Sequence, residues 1–156
     1  MRRLLLIPAL IAAALASPAA AQSPEDDVLA VVQRLFDGMR AADTTMMRAT
    51  FHPEIRLVTT GERDGQPVAA AVPVEQWLEG VAGAEAVLDE QIHDPEVRVS
   101  GGLATVWTYY TLHVGDRFSH CGYDAFQLVR TADGWKITQV ADTRQREGCR
   151  VPGPDG

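Results

Sequence analysis

Residues Leu103 to Thr143 read LATVWTYYTLHV, GD, RFSHCGYDAFQLVR, TADG and WKITQVADT in succession. Three runs rich in β-branched and aromatic residues are separated by Gly115-Asp116 and Ala132-Asp133-Gly134, both suited to hairpin turns. The stretch predicts three antiparallel strands, Leu103–Val114, Phe118–Arg130 and Trp135–Thr143. Upstream, Ser100-Gly101-Gly102 marks another turn and Val87–Val99 another strand. That strand carries a bulge at Asp94-Pro95, since proline cannot donate within a sheet centre. A shorter strand is expected at Ile55–Thr60, followed by a turn at Gly61–Gly65.

Outward from the meander the period changes from two to 3.6. Ser23-Pro24-Glu25-Asp26 starts a helix: Ser23 caps it, Pro24 needs no N–H partner in the first turn, and Asp26 completes a capping box. Val28, Leu29, Val32, Leu35, Phe36 and Met39 then follow at helical spacing. Asp43 caps a short second helix carrying Met46, Met47 and Phe51 and stopped by Pro53. A third helix runs from Val74 through Val81, with Trp77, Leu78 and Val81 on one side. Helices followed by an antiparallel meander define an α+β domain, with the helices packed on one face of a curved sheet.

The 156 residues are 46% hydrophobic and 22% charged, values of an ordinary globular domain, and they suffice for one core. The net charge of -7, without lysine or arginine runs, gives no electrostatic reason to bind nucleic acid or an anionic membrane. Residues 1–21 read as a secretory signal: Arg2-Arg3, an apolar run from Leu4 to Ala16, and Ala19-Ala20-Ala21 before Gln22 as the cleavage zone. The run is short of the ~20 residues that span a bilayer. The mature domain is then residues 22–150, with 151–156 a disordered C-terminal tail, destined for a periplasm or secretion. Two cysteines in an exported chain are expected to pair, so Cys121 and Cys149 are read as a disulfide fastening Arg144–Arg150 to the domain.

The Gly115-Asp116 turn also predicts which side chains share a face. In a two-residue hairpin Val114 lies opposite Arg117. Continued along the strands, this sets Trp107 opposite Asp124, Tyr109 opposite Gly122, Thr111 opposite His120 and His113 opposite Phe118. The other face carries Thr108 opposite Tyr123, Tyr110 opposite Cys121 and Leu112 opposite Ser119. A slip of one residue would exchange the faces. The first face mixes aromatic rings with histidines, a threonine and a carboxylate, as a small-molecule pocket does. Gly122 in mid-strand leaves room for a ligand or a bend.

With these elements in place the sequence resembles the nuclear transport factor 2-like (NTF2-like) superfamily, including its SnoaL-type cyclases and ketosteroid isomerases. The resemblance is carried by Val31-Val32-Gln33-Arg34, Thr50-Phe51-His52-Pro53-Glu54, Gly122-Tyr123-Asp124-Ala125-Phe126-Gln127-Leu128 and Asp133-Gly134-Trp135-Lys136-Ile137. It implies a cone-shaped α+β fold. It also places Asp124 where ketosteroid isomerases hold a protonated aspartate against a developing oxyanion. The tyrosine partner of that aspartate corresponds to Leu35 here and the general base to about Thr59, so steroid isomerisation by that route is not expected. The superfamily hosts enzymes and binding modules alike.

The candidate acid–base pair is therefore Asp124 and His120, each with a plain alternative: a structural carboxylate for Asp124, a rim histidine for His120. The candidate ligand-binding wall is Trp107, Tyr109, Thr111, Phe126, Gln139, Trp77 and Leu35. No cofactor is implied, and His113, His120 and Asp124 match no dense metal-ligand spacing. The expected ligand is a small hydrophobic or aromatic molecule. Two readings stand: an exported binding protein, or a cofactor-independent isomerase, dehydratase, lyase or cyclase. A homodimer is expected through the sheet's outer face, read as Val106, Thr108, Tyr110, Leu112 and Tyr123.

Overall fold

The computed structural model describes residues 22–150, so the proposed signal and the tail at 151–156 lie outside the described residues. Helix α1 (Pro24–Arg40) starts as its sequence dictates. Ser23 Oγ accepts from the Asp26 N–H and the Asp26 carboxylate accepts from the Ser23 N–H, closing the capping box. Its buried stripe is Val28, Val32, Leu35, Phe36 and Met39. Asp43 caps α2 (Thr44–Thr50) by accepting from the Met46 N–H. That helix ends before Phe51, which already opens a strand, so Pro53 lies inside the strand rather than stopping the helix.

Strand β1 (Phe51–Arg63) is twice the expected length, and β2 (Gln66–Val72), absent from the sequence reading, returns from it. The turn is Asp64-Gly65 alone; both residues have positive φ, 53° and 73°, the geometry of a two-residue hairpin. Gln66–Val72 escaped notice because its side chains are nearly all exposed, leaving no alternation to read. Helix α3 (Val74–Ala82) then leads into β3 (Leu88–Ser100), β4 (Leu103–Val114), β5 (Arg117–Thr131) and β6 (Gly134–Thr143). These last four match the expected boundaries within two residues, and the β3 register breaks between His93 and Glu96, at Asp94-Pro95 as anticipated.

The six strands form one sheet in the order β2-β1-β6-β5-β4-β3. All neighbours are antiparallel except β1 and β6, which run parallel, so the sheet is mixed rather than a pure antiparallel meander. The helices supply one side of the core, with Phe36 of α1 packed edge-on against Phe126 of β5 at 6.0 Å. Val106, Leu128 and Ile137 line the facing sheet surface and are fully buried with it. Among the described residues no helix is long and apolar enough to cross a membrane.

Candidate functional site

The β4–β5 hairpin decides which side chains meet. Val114 does pair with Arg117 and His113 with Phe118, but Ser119 is an extra residue, and from Leu112 onward the register moves by one. Leu112 faces His120, Tyr110 faces Gly122, and Thr108 faces Asp124. A bulge of this kind exchanges the faces of everything beyond it. The expected opposition of Trp107 to Asp124 is therefore overturned, as are Tyr109 to Gly122 and Thr111 to His120.

On the helix-covered face stand Val106, Thr108, Tyr110, Leu112, His120, Asp124 and Phe126. Val106, Thr108 and Tyr110 are buried at 1%, 0% and 1% exposure, so these members of the patch assigned to a dimer are core instead, and Tyr123 stays exposed on the other face. On the opposite face Trp107 stacks on Tyr123 at 5.2 Å, both substantially exposed. Tyr109 and Thr111 lie on this same side, buried beneath neighbours rather than beside Asp124. Gln139, paired with Gln127, also faces this side. Of the expected wall, Leu35, Trp77 and Phe126 reach the Asp124 cavity; Trp107, Tyr109, Thr111 and Gln139 do not.

The cavity measures about 80 Å³, several times the space one water needs. Leu35 and Phe36 of α1, Leu57 of β1, Val72 of β2, Trp77 of α3, Phe126 and Val140 make its walls apolar. Four charged side chains share it: Glu90, Asp124, Asp142 and Arg144. The two positions that the resemblance aligned with missing catalytic groups, Leu35 and Thr59, both line it as well.

Asp124 is 3% exposed, and no N–H or hydroxyl of the protein reaches its Oδ2. The Glu90 carboxyl adjoins it in the cavity. Burial pushes the Asp124 carboxyl far above the usual carboxylate range, and the adjoining Glu90 and Asp142 charges push the same way. Burial likewise raises Glu90, to about 7. Two acids in one apolar cavity resist ionising together, so the pair retains a proton at neutral pH. Asp142 is held by Arg144, whose Nε donates to its Oδ2 at 2.6 Å. Tyr110 stays protonated, its ionisation opposed by burial and by the three carboxylates, and its hydroxyl donates to the Thr143 carbonyl at 2.9 Å.

Glu90 was missed in the sequence, although a signal for it exists. Leu88, Glu90 and Ile92 pair with Val114, Leu112 and Tyr110 and share the covered face, so Glu90 is an acid between two apolar residues at period two. His120 shares the Asp124 face but is not among the cavity walls. Its Nδ1 lies 2.9 Å from Ser119 Oγ, and burial, then the Arg144 charge, lower its proton affinity. Gly122 makes room for backbone rather than a ligand: a Cβ there would lie 1.9 Å from the Thr143 oxygen. Among the described residues no three His, Cys, Asp or Glu side chains gather as a metal site.

Cys121 and Cys149 are bonded, with Cα atoms 5.9 Å apart. Cys121 also exchanges backbone hydrogen bonds with Gln145, at 3.0 and 2.9 Å. Tyr109 is covered by the end of this segment: its hydroxyl accepts from the Arg150 N–H at 2.8 Å, and the Arg150 guanidinium lies 4.2 Å from its ring centre.

Three helices on a curved, mostly antiparallel sheet, with an acid-bearing cavity between them, give this chain an NTF2-like fold. The sequence model of a family described as "Putative lumazine-binding" matches residues 23–141, and the chain belongs to that family. No curated relative matches the sequence. Among solved structures, a protein from Kribbella flavida is similar at 19% identity and TM-score 0.63, over 77% of this chain and 89% of that one. An NTF2-like protein from Cytophaga hutchinsonii aligns at 12% identity and TM-score 0.64, over 80% and 100%. A structure from Streptomyces avermitilis, titled a putative dehydratase of the NTF2-like family, aligns at 15% identity and TM-score 0.63, over 78% and 96%. At such identities the likeness is one of fold.

Proposed function

We propose that the cavity binds a small, largely apolar molecule through a hydrogen-bonding oxygen that faces the Asp124–Glu90 pair. The observation that carries this reading is a pair of carboxyls at an apolar cavity, with an Asp124 oxygen that no N–H or hydroxyl of the protein reaches. A buried polar group without a partner is costly, and a ligand that supplies one recovers that cost. The volume, below the several hundred Å³ of drug-sized sites, favours a compact ring system over a steroid. The family description names lumazine, a compact planar ring system whose polar edge could meet the carboxyls while its faces lie on the apolar walls.

A second reading is acid–base catalysis, and Glu90 favours it. A carboxyl titrating at about 7 beside one held protonated is a base next to an acid. Here Glu90 takes the part first assigned to His120, in a cofactor-independent isomerisation, dehydration, lyase reaction or cyclisation. The solved dehydratase-titled neighbour is compatible with that chemistry. Export belongs to the same proposal: cleavage after Ala21 would deliver the domain to a periplasm or the exterior, checked by the N-terminal mass of the secreted chain. Self-pairing, if it uses the outer face, would involve Trp107 and Tyr123 rather than the buried set.

The experiment is calorimetric titration of the mature protein with a panel of lumazines, phenols and small cyclic ketones, with product analysis on each mixture. Asp124→Ala, verified as folded by its melting curve, should weaken the best ligand at least tenfold. Unchanged affinity would sink the binding reading. Turnover by wild type that vanishes in Glu90→Gln with binding retained would establish the enzyme.

A further inference from the structure

The cavity has a single cationic lining residue among the described side chains, Arg144, and it lies beyond the last strand. It sits at the start of a segment that is tied down at successive points. Thr143 is fixed first: its carbonyl accepts from the Tyr110 hydroxyl, its Oγ1 accepts from the Tyr123 N–H at 2.9 Å, and Gly122 gives its backbone room. Gln145 is bridged to Cys121 through both backbone groups. Cys149 is bonded to the same Cys121. Arg150 closes the series on Tyr109, with its guanidinium 3.2 Å from Asp94. Cys121 is thus held from both ends of a short span, with Arg144 just before it.

We propose that residues 143–150 form a disulfide-fastened strap that delivers Arg144 to the cavity, and that opening Cys121–Cys149 loosens this cation from the acid cluster. Arg144 is a positioning residue, acting on ligand through the carboxyls. The groups facing those carboxyls are Asp142 on β6, Arg144 just beyond it, Tyr110 on β4 and His120 on β5; the helices contribute only Leu35, Phe36 and Trp77. Arg144 opposes the upward push on both Glu90 and Asp124. Its loss leaves Asp142 uncompensated beside them, which raises both further. The redox state of a bond on one face of the sheet thereby sets the protonation of a cavity on the other. An exported protein meeting reducing conditions would hold its carboxyl pair more fully protonated.

The biological meaning rests on the ligand-site reading above, but the test does not, because it needs no ligand. Side-chain carboxyl carbon resonances of Glu90 are titrated in the oxidised protein, in Cys149→Ser, in Arg144→Gln and in the double variant. Cys149 is chosen because Cys121 is fully buried and its replacement endangers folding. Arg144→Gln should move the Glu90 midpoint upward by about one pH unit. Cys149→Ser should reproduce at least half of that change, Arg144→Lys should largely restore the wild-type midpoint, and the double variant should match Arg144→Gln alone. Reducing the wild-type protein should give the Cys149→Ser titration. A folded Cys149→Ser with an unmoved Glu90 midpoint overturns the proposal, and so does a double variant whose change is the sum of the two. Ligand binding that fails while the midpoint moves would count against the binding reading only.

Discussion

Replacing Glu90 by glutamine tests the carboxyl pair through its effect on folding. In an unfolded chain Glu90 ionises near 4.5; in the fold it holds its proton to about 7. The folded state therefore binds more protons across that interval, and its stability falls as pH rises through it. At 1.36 kcal/mol for each pH unit, this one group costs the native protein about 3 kcal/mol above pH 7 and nothing below pH 4.5. Asp124, raised by the same burial, adds to the fall with the same sign. Glutamine cannot ionise, and its amide can donate to the Asp124 carboxylate. Glu90→Gln should melt close to wild type at pH 4.5 and above it by roughly 10 °C at pH 8. The assay is thermal unfolding followed by circular dichroism from pH 4.5 to 8. Parallel curves for the two proteins, or a variant equally weakened at every pH, would refute the account of a raised, proton-retaining pair.

Removing the strap's bond should be nearly as visible: Cys149→Ser frees a loop of 28 residues, worth about 3 kcal/mol in denaturant unfolding, and a loss below about 1 kcal/mol would contradict a structural role. Gly122→Ala should abolish folding or cost more than about 3 kcal/mol, because its methyl would meet the Thr143 carbonyl. Gly80→Ala, in open space on α3, should instead stabilise by up to about 1 kcal/mol; similar melting points for these two alanine variants would be inconsistent with the packing. Trp77→Phe should remove the ligand-dependent part of tryptophan fluorescence, whereas Trp107→Phe, on the far face, should leave it intact.

Much of the fold was legible locally. The capping box at Ser23–Asp26, the bulge at Asp94-Pro95, the turns around Gly101, Gly115 and Gly134, and the cysteine pair each depend on a few neighbouring residues or on compartment chemistry, and each is present. The candidate site was legible only in part. The structure keeps Asp124, Leu35, Trp77 and Phe126 at the cavity but puts Trp107, Tyr109 and Thr111 on the other face, because Ser119 is an extra residue that the turn itself does not announce; Gln139 is turned away at a second register shift, between β5 and β6. A clue lay in the partner sets. Moving the register by one sets Phe126 against Val106 and Leu128 against Ala104, whereas an unbroken hairpin would set Phe126 against Thr105 and Ala104 against Gln127.

Sequence alone determined the element types apart from β2, the order of the last four strands, the disulfide partners and the presence of a carboxylate among apolar residues at position 124. These follow from periodicity, turn chemistry and cysteine count, which act over short distances along the chain. Only the tertiary structure decided that β1 enters the sheet parallel to β6, that the Ser119 bulge sets Thr108 rather than Trp107 opposite Asp124, and that Glu90, Asp142 and Arg144 meet Asp124 at the cavity. Those outcomes depend on long-range pairing and on a one-residue register, and with a side-chain period of two a single inserted residue reverses every face beyond it.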